Sequence, residues 1–298
     1  MSGRWQMNIF SGLEKIVEKK YPLGQDTWFG LGGSADYLIR PQNTDQLADV
    51  IRRCSENGIN TYVLGFGSNL LIHDKGVKGA VIKLSGDDFS RVNFSGETLT
   101  AGAGVELNKI VLDCVRKGLG GLEALAGIPG SIGGAVRMNA GGNFGDFGSA
   151  VESVTLMDNE GNIFEKVKPE LSFDYRSANI TAKYILDAKI KLYQADTPQL
   201  LRTVKEVWIY KKNTQPLNTK NAGCVFKNPR GMSAGAMIDR AGLKGTKIGG
   251  AVVSEKHANF ITAQEGCKSS DVIKLIEKIQ KAVKEKFDVE LELEIQIW

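Results

Sequence analysis

The sequence predicts a protein of mixed α and β structure, and three stretches carry that prediction. Residues 35 to 64 read as strand, helix, strand, a β-α-β opening. The last ten residues, VELELEIQIW, alternate apolar and polar positions, as a strand with one buried face does. Between them lies Gly118 to Gly148, where eleven of thirty-one residues are glycine. An ordered glycine costs about 0.5–1 kcal/mol relative to alanine in a regular element, so this run is no ordinary helix or strand. Ala124, Leu125, Ile128, Ile132, Val136 and Met138 interleave with the glycines, which a flexible polar linker would not do. The stretch reads as a buried loop system hugging a ligand, with tight structural turns as the alternative.

The elements follow in order. Phe10 to Lys20 reads as a short amphipathic helix ending in solvated Lys19-Lys20. Ala35–Ile39 is a strand closed by Pro41. Asn43 then begins a helix, with Gln46 placed for a capping box, an apolar stripe of Leu47, Val50, Ile51 and Cys54, and Gly58 as its stop. Thr61–Leu64 is a strand running into Gly65-Phe66-Gly67-Ser68-Asn69-Leu70. Strands at Ala80–Leu84, Arg91–Phe94 and Leu99–Ala101 precede a helix from Val105 to Lys117, which Gly118 ends. Val151–Asp158 and Ile163–Lys166 straddle Asn159-Glu160-Gly161-Asn162 as a hairpin, and Tyr184–Leu192 is a further strand. Thr197 caps a helix with Pro198 in its first turn and Leu201, Val204, Val207 and Trp208 facing inward. Ser233–Ala241 is a short helix, Ile248–Val253 and Asn259–Thr262 are strands, and Ser270 begins a long helix before the terminal strand from Val289.

Composition narrows the function classes. A chain of 298 residues suggests two or three domains, and 42% apolar with 24% charged residues is ordinary for a soluble globular protein. No apolar run is long enough to span a membrane, and the opening MSGRWQMNIFSGLEKIVEKK has no apolar signal core. Cys54, Cys114, Cys224 and Cys267 lack CxxC spacing, which fits reduced thiols in a cytoplasm. A net charge of +4 suits small anionic ligands and is too weak to argue for nucleic acid. His73 has no companions at metal-ligand spacing, so no metal site is expected.

Gly65 to Leu70 begins like a dinucleotide fingerprint, but the third glycine of G-x-G-x-x-G falls at Leu70, and no Walker pattern occurs. Backbone N–H groups here, with Ser68 and Asn69, could cradle a diphosphate. A plain glycine turn is the equal alternative.

The runs GFGSNLLI, GGLEALAGIPGSIGGAVRMNAGG, FDYRSA, QPLNTKNAGCVFKNP, SAGAMIDRAGLKGTKIGGAVVSEKHANFI and LEIQIW occur in this order. Together they resemble the UDP-N-acetylenolpyruvoylglucosamine reductase family, over nearly the whole chain from Asp26 to Ile297. The chain is similar to the shorter subclass, without the extra tyrosine-bearing substrate loop. The resemblance implies an α+β protein with an FAD-binding fold of the vanillyl-alcohol-oxidase type in two α/β subdomains, followed by a C-terminal α+β substrate domain. The implied division is 1–78, joined by the terminal strand 289–298, then 79–195, then 196–288. It further implies non-covalent FAD, NADPH as co-substrate, and reduction of a UDP-sugar enolpyruvyl ether in peptidoglycan precursor synthesis, by a cytoplasmic monomer that binds neither nucleic acid nor membrane.

By match, FAD would lie on Gly65, Gly67, Ser68, Asn69 and Leu70, and on Gly127, Pro129, Gly130, Ser131, Gly133 and Gly134, with Asn139 nearby. The cluster Gly127–Gly134 would wrap the diphosphate, and Arg137 to Gly148 would shape the approach to the flavin ring. Arg176 would clamp the substrate carboxylate with its planar fork, though alone it reads as a surface ion pair. Glu294 would assist protonation at C2, whereas its pattern alone makes it solvated like Glu290 and Glu292. Cys224 stands where the family usually places serine, as the proton donor to C2; a thiol, with an ordinary pKa of about 8.5, is the better acid. Asn228 and Lys220, with Lys227 beside them, would meet the substrate, and His257 would line its pocket or serve structure alone. Two rival readings remain: another flavin oxidoreductase of the superfamily, such as an alcohol or sugar oxidase, and a nucleic-acid binder using Lys211–Lys220 and Lys268–Lys286. The second lacks interleaved aromatics.

Overall fold

The computed structural model describes residues 9–298, so the first eight residues of the opening run, read above for a signal core, lie outside the described residues. Two sheets and a small C-terminal body make up the chain. In the first sheet, β1 (Val17–Pro22) pairs antiparallel with β2 (Ser34–Ile39). Helix α1 (Thr44–Glu56) then crosses to β3 (Thr61–Leu64), and a two-residue strand, β4 (Leu70–Leu71), leads to β5 (Val77–Lys83). β5 lies between β2 and β3, parallel to both.

The helix expected over residues 10–20 is instead one 3₁₀ turn at Glu14–Ile16 followed by β1. A helix so short is marginal in water, whereas β2 offers a ready ladder. Exposed Lys19, Lys20 and Pro22 then blunt the open edge of the sheet. α1 matches its expectation in stripe and stop, and Asn43 Oδ1 accepts from Gln46 N–H at 2.9 Å. Gln46 Oε1 reaches back to the N–H of Gln42 rather than that of Asn43.

The second sheet is antiparallel throughout, in the order β9-β8-β10-β7-β6, with β6 (Val92–Ser95), β7 (Thr98–Gly102), β8 (Val151–Met157), β9 (Ile163–Val167) and β10 (Tyr184–Lys191). Helices α2 (Leu107–Arg116) and α3 (Ile132–Arg137) lie between β7 and β8 in the chain. The expected break after residue 78 falls inside β5, whose pairing to β2 and β3 keeps it in the first sheet as far as Lys83.

The boundary expected at 196 falls just before helix α4 (Thr197–Thr214), whose Leu200, Val204 and Val207 pack into the same core as α1 and the second sheet. Leu201 and Trp208, expected inward, are exposed, because the buried stripe runs through Leu200 and Lys211 instead.

The C-terminal body holds α5 (Ala234–Arg240), a sheet of β11 (Lys247–Ile248), β12 (Ala251–Val253) and β13 (Ile261–Ala263), and α6 (Ser269–Phe287). The strand expected over 248–253 is broken by Gly249 at φ +54°. The terminal run is extended, but only β14 (Gln296–Ile297) is a strand. Its partners change along its length: Lys227 N–H donates to Glu292 O, Glu294 N–H to Val225 O, and Gln296 N–H to Asn69 O. The run therefore stitches the C-terminal body to the glycine turn after β3, with β14 parallel to β4.

Candidate active site

Two glycine loops face each other across a cleft. Ser68 Oγ donates to the carbonyl of Pro129 at 3.0 Å, which ties the loop after β3 to the loop before α3. A Cβ at Gly65 would sit 2.7 Å from Ser131 Oγ, and Gly67, at φ +63°, lies against the carbonyl of Asp26. Backbone approach and a positive φ require glycine at Gly67, while at Gly65 a side chain would have to displace the Ser131 hydroxyl. The cleft holds two adjoining cavities of about 280 and 180 Å³ that share walls at Gly65, Phe66, Ser131, Gly134 and Arg137.

The FAD-site expectations divide on this geometry. Gly65, Gly67, Ser68, Asn69, Leu70, Pro129, Gly130, Ser131 and Gly134 line the larger cavity, and Gly133 lines the smaller. Gly127 does not: its N–H donates to Asn108 Oδ1, and a Cβ there would lie 3.4 Å from the Trp208 ring. Asn139 is buried, with Oδ1 accepting from Gly148 N–H at 2.8 Å and Nδ2 donating to Asp174 O at 3.0 Å. It clamps two loops together at φ +41°, a torsion that asparagine tolerates better than most residues. The first N–H groups of α3 are also engaged, Ile132 by Val105 O and Gly133 by Ala103 O.

Gly134 tests whether the cradle fits a cofactor. It is exposed, has no positive φ, and a Cβ there would meet only Ser131 Oγ at 3.4 Å. No protein contact demands glycine here; a side chain would instead project into the cleft that both cavities share. The residues present fit an extended ligand lying against backbone.

Arg176, Cys224 and Glu294 all line the larger cavity. Arg176 sits at the tip of a short hairpin, Phe173–Asp174 with Ser177–Ala178, in the left-handed region at φ +57°. Its Nε donates to Glu294 Oε1 at 2.6 Å, and these side chains are only 18% and 12% exposed. Glu294 thus differs from Glu290 and Glu292, which remain in solvent. Burial pushes the Glu294 carboxyl above its ordinary range, while the Arg176 charge works against that rise.

Cys224 is half-buried against the cavity. Burial, helped by the nearby Glu294 charge, pushes its thiol up to about 12. The segment is held by Asn259, whose backbone carbonyl accepts from Val225 N–H and whose side chain pairs with both the N–H and the carbonyl of Phe226. At this value the thiol stays protonated at neutral pH, but the acidity advantage read from the sequence is reduced.

The three substrate expectations do not converge on this cavity. Asn228 Oδ1 accepts from Ala234 N–H near the start of α5, and the N–H of Asn228 donates to Tyr175 Oη at 3.2 Å. His257 packs on Phe260, and its Nδ1 accepts from Asn259 N–H at 3.3 Å. Lys220 lies beside Gly30. Arg137, read from the sequence as shaping the ring approach, lines both cavities, whereas sequence reading missed Gln296 and Trp298 as cavity residues. These two had a usable signal, the apolar alternation that carries the chain end back to β4. Among the described residues, no cluster of His, Cys, Asp and Glu could hold a metal ion, and no helix is long and apolar enough to cross a membrane.

The model of the C-terminal domain of UDP-N-acetylenolpyruvoylglucosamine reductase matches residues 215–298, and an FAD binding domain model matches residues 35–166. Reductases of that name from Carboxydothermus hydrogenoformans and Symbiobacterium thermophilum are 41% and 38% identical, over 94% and 95% of this chain and 93% and 92% of their own. The crystal structure of the reductase from Thermus caldophilus matches with a TM-score of 0.83 at 38% identity, covering 95% of this chain and 98% of that one.

Proposed function

The chain belongs to the UDP-N-acetylenolpyruvoylglucosamine reductase family, and from that premise we propose how its own residues perform the reduction. It is an FAD-dependent oxidoreductase of peptidoglycan precursor synthesis, with an α+β architecture and the vanillyl-alcohol-oxidase type of FAD-binding fold. We divide it into a first unit to Lys83 that the terminal strand rejoins, a second unit through α4, and a substrate unit from about Gln215. NADPH is the reductant, the substrate is a UDP-sugar enolpyruvyl ether, and the enzyme acts as a cytoplasmic monomer. Four free cysteines, two of them buried, accord with a reducing compartment.

The observation that carries the reading is convergence. Two glycine loops some sixty residues apart, a hairpin arginine, a thiol and a carboxylate from the last few residues line one cavity. The loops after β3 and before α3 would hold FAD, with backbone and Gly134 providing the close approach. Bound FAD supplies the hydride, taken from NADPH and passed to C3 of the enolpyruvyl group.

The protein handles the charge and the proton. As C3 gains its hydride, negative charge gathers at C2 and on the adjoining carboxylate. Arg176 offsets it, because Nε is held by Glu294 while the far edge of the guanidinium keeps its fork for a carboxylate. Cys224 then gives its proton to C2. A thiol raised to about 12 is loaded at every physiological pH and surrenders its proton only to a strongly basic centre, such as the carbanion at C2. Glu294 fixes Arg176 and assists proton return to the thiol.

Anaerobic visible spectroscopy tests this reading. Flavin bands should bleach with NADPH and return when the enolpyruvyl substrate is added. Bands that bleach only with an alcohol or a sugar would point to an oxidase instead.

A further inference from the structure

Arg137 ends α3 and has no carboxylate partner among the described residues. Its Nη1 donates to the carbonyl of Ile180, and its Nη2 donates to those of Ala182 and Lys183, the last at 3.0 Å. A guanidinium carries five N–H donors. Nε–H and the second hydrogen on Nη1 therefore have no protein acceptor among the described residues.

The position of this cation is specific. Arg137 lines both cavities together with Gly65 and Ser131, the two residues at which the glycine loops nearly touch. The smaller cavity is walled by three cations and no carboxylate. Lys83 is committed to Asp26 at 2.5 Å, and Lys183 donates to Thr61 O and Oγ1 at 3.1 Å. All three cations keep N–H donors to spare, but Lys83 is neutralised by a carboxylate and Lys183 is exposed, so Arg137 is the half-buried cation of that wall with no carboxylate among the described residues. A charge held in a half-buried site by neutral carbonyls alone is poorly compensated, and an anion in the cleft would complete it. Burial already pulls Arg137 below the usual arginine range.

We infer that Arg137 anchors the diphosphate of the bound cofactor: its free N–H edge takes a phosphate oxygen while its other edge fixes the 180–183 loop. The inference rests on FAD being the ligand of this cleft. It assigns to one side chain the charge compensation that α3 cannot supply alone, since the first two N–H groups of that helix are engaged. It also moves Arg137 from the ring approach to the phosphate end of the site.

Titration of the full chain, stripped of flavin, with FAD and with riboflavin tests it, by quenching of flavin fluorescence. Riboflavin lacks the diphosphate, so it reports the ring site and the fold alone. Arg137→Gln should weaken FAD about tenfold to a hundredfold, the range for a lost hydrogen bond to a charged group, and leave riboflavin within about twofold. Arg137→Lys should recover part of the loss, and the salt dependence of FAD binding should be shallower in Arg137→Gln. Equal weakening of FAD and riboflavin would reduce Arg137 to a loop brace and overturn the proposal, as would unchanged FAD binding. A wild-type chain that binds neither flavin would overturn the cofactor reading itself, before Arg137 enters.

Discussion

Arg176 Nε donates to Glu294 Oε1 at 2.6 Å, joining the tip of a hairpin to a residue 118 positions further along the chain. The hairpin holds Arg176 at φ +57°, a torsion that costs an L-residue of order 1–2 kcal/mol. Glu294 is locked from the other side, its N–H on Val225 O and its carbonyl accepting from Asn69 Nδ2. The pair therefore joins all three parts of the site: the hairpin, the thiol segment and the glycine turn after β3.

Glu294→Gln keeps an acceptor for Arg176 and removes the charge that helps to raise the Cys224 thiol. The pH midpoint for alkylation of Cys224 should fall in this variant. Flavin reoxidation by substrate should slow about 10²-fold or more, the usual scale for lost acid–base assistance. An unmoved midpoint would disprove the electrostatic link between the two groups.

Gly134→Ala should act with opposite signs on fold and function. Alanine within the helix should stabilise the flavin-free chain by about 0.5–1 kcal/mol. Its methyl group would enter the cleft, so FAD affinity should drop at least about tenfold, on the scale of one lost close contact. Thermal unfolding with and without FAD reads both effects.

Lys211 should show a distinctive pH dependence. It is 8% exposed on α4, donates to the carbonyl of Ala126 at 2.6 Å, and burial pulls it down to about 8. Between about 8 and its unfolded value near 10.5, the unfolded chain holds the proton and the native chain does not, so stability rises with pH across that window. Denaturant titrations should show wild type gaining about 2–3 kcal/mol on Lys211→Met between pH 7.5 and 10.5. A constant difference would mean that Lys211 titrates normally.

Asp74 caps α6 from the first unit, accepting from Ser269 N–H at 2.8 Å and Ser270 N–H at 3.1 Å. Burial opposes the shift, but these hydrogen bonds hold its carboxyl below the ordinary range. The contribution is present above the unfolded pKa and fades as pH falls through the native one. Asp74→Ala should cost about 1 kcal/mol at neutral pH and nothing in strong acid, measured as the difference in unfolding free energy.

The elements that could be read from sequence are those whose signal is local. The stripe of α1 and the stops at Gly58 and Gly118 depend only on their neighbours in the chain. β1 could not be read, because its reason is β2, a partner remote from its own pattern. On α4, neighbouring Leu200 and Leu201 are chemically identical, and only packing against the core separates them. The same holds at the site. Alternation places Glu290, Glu292 and Glu294 on one face, but the hairpin bearing Arg176 covers only the last. Family resemblance supplied Arg176, Cys224 and Glu294, and the fold brings them to one cavity. It also suggested Asn139 near the cofactor; its side chain holds two loops together, and its neighbours Met138 and Ala140 line the cavity.

If Cys224 gives C2 its proton as proposed, stopped flow should separate the two half-reactions of Cys224→Ala. Flavin reduction by NADPH should proceed within about threefold of wild type, while reoxidation by the enolpyruvyl substrate should slow about 10²–10⁴-fold, with Cys224→Ser recovering most of the loss. Reoxidation at the wild-type rate in Cys224→Ala would rule out Cys224 as the proton donor.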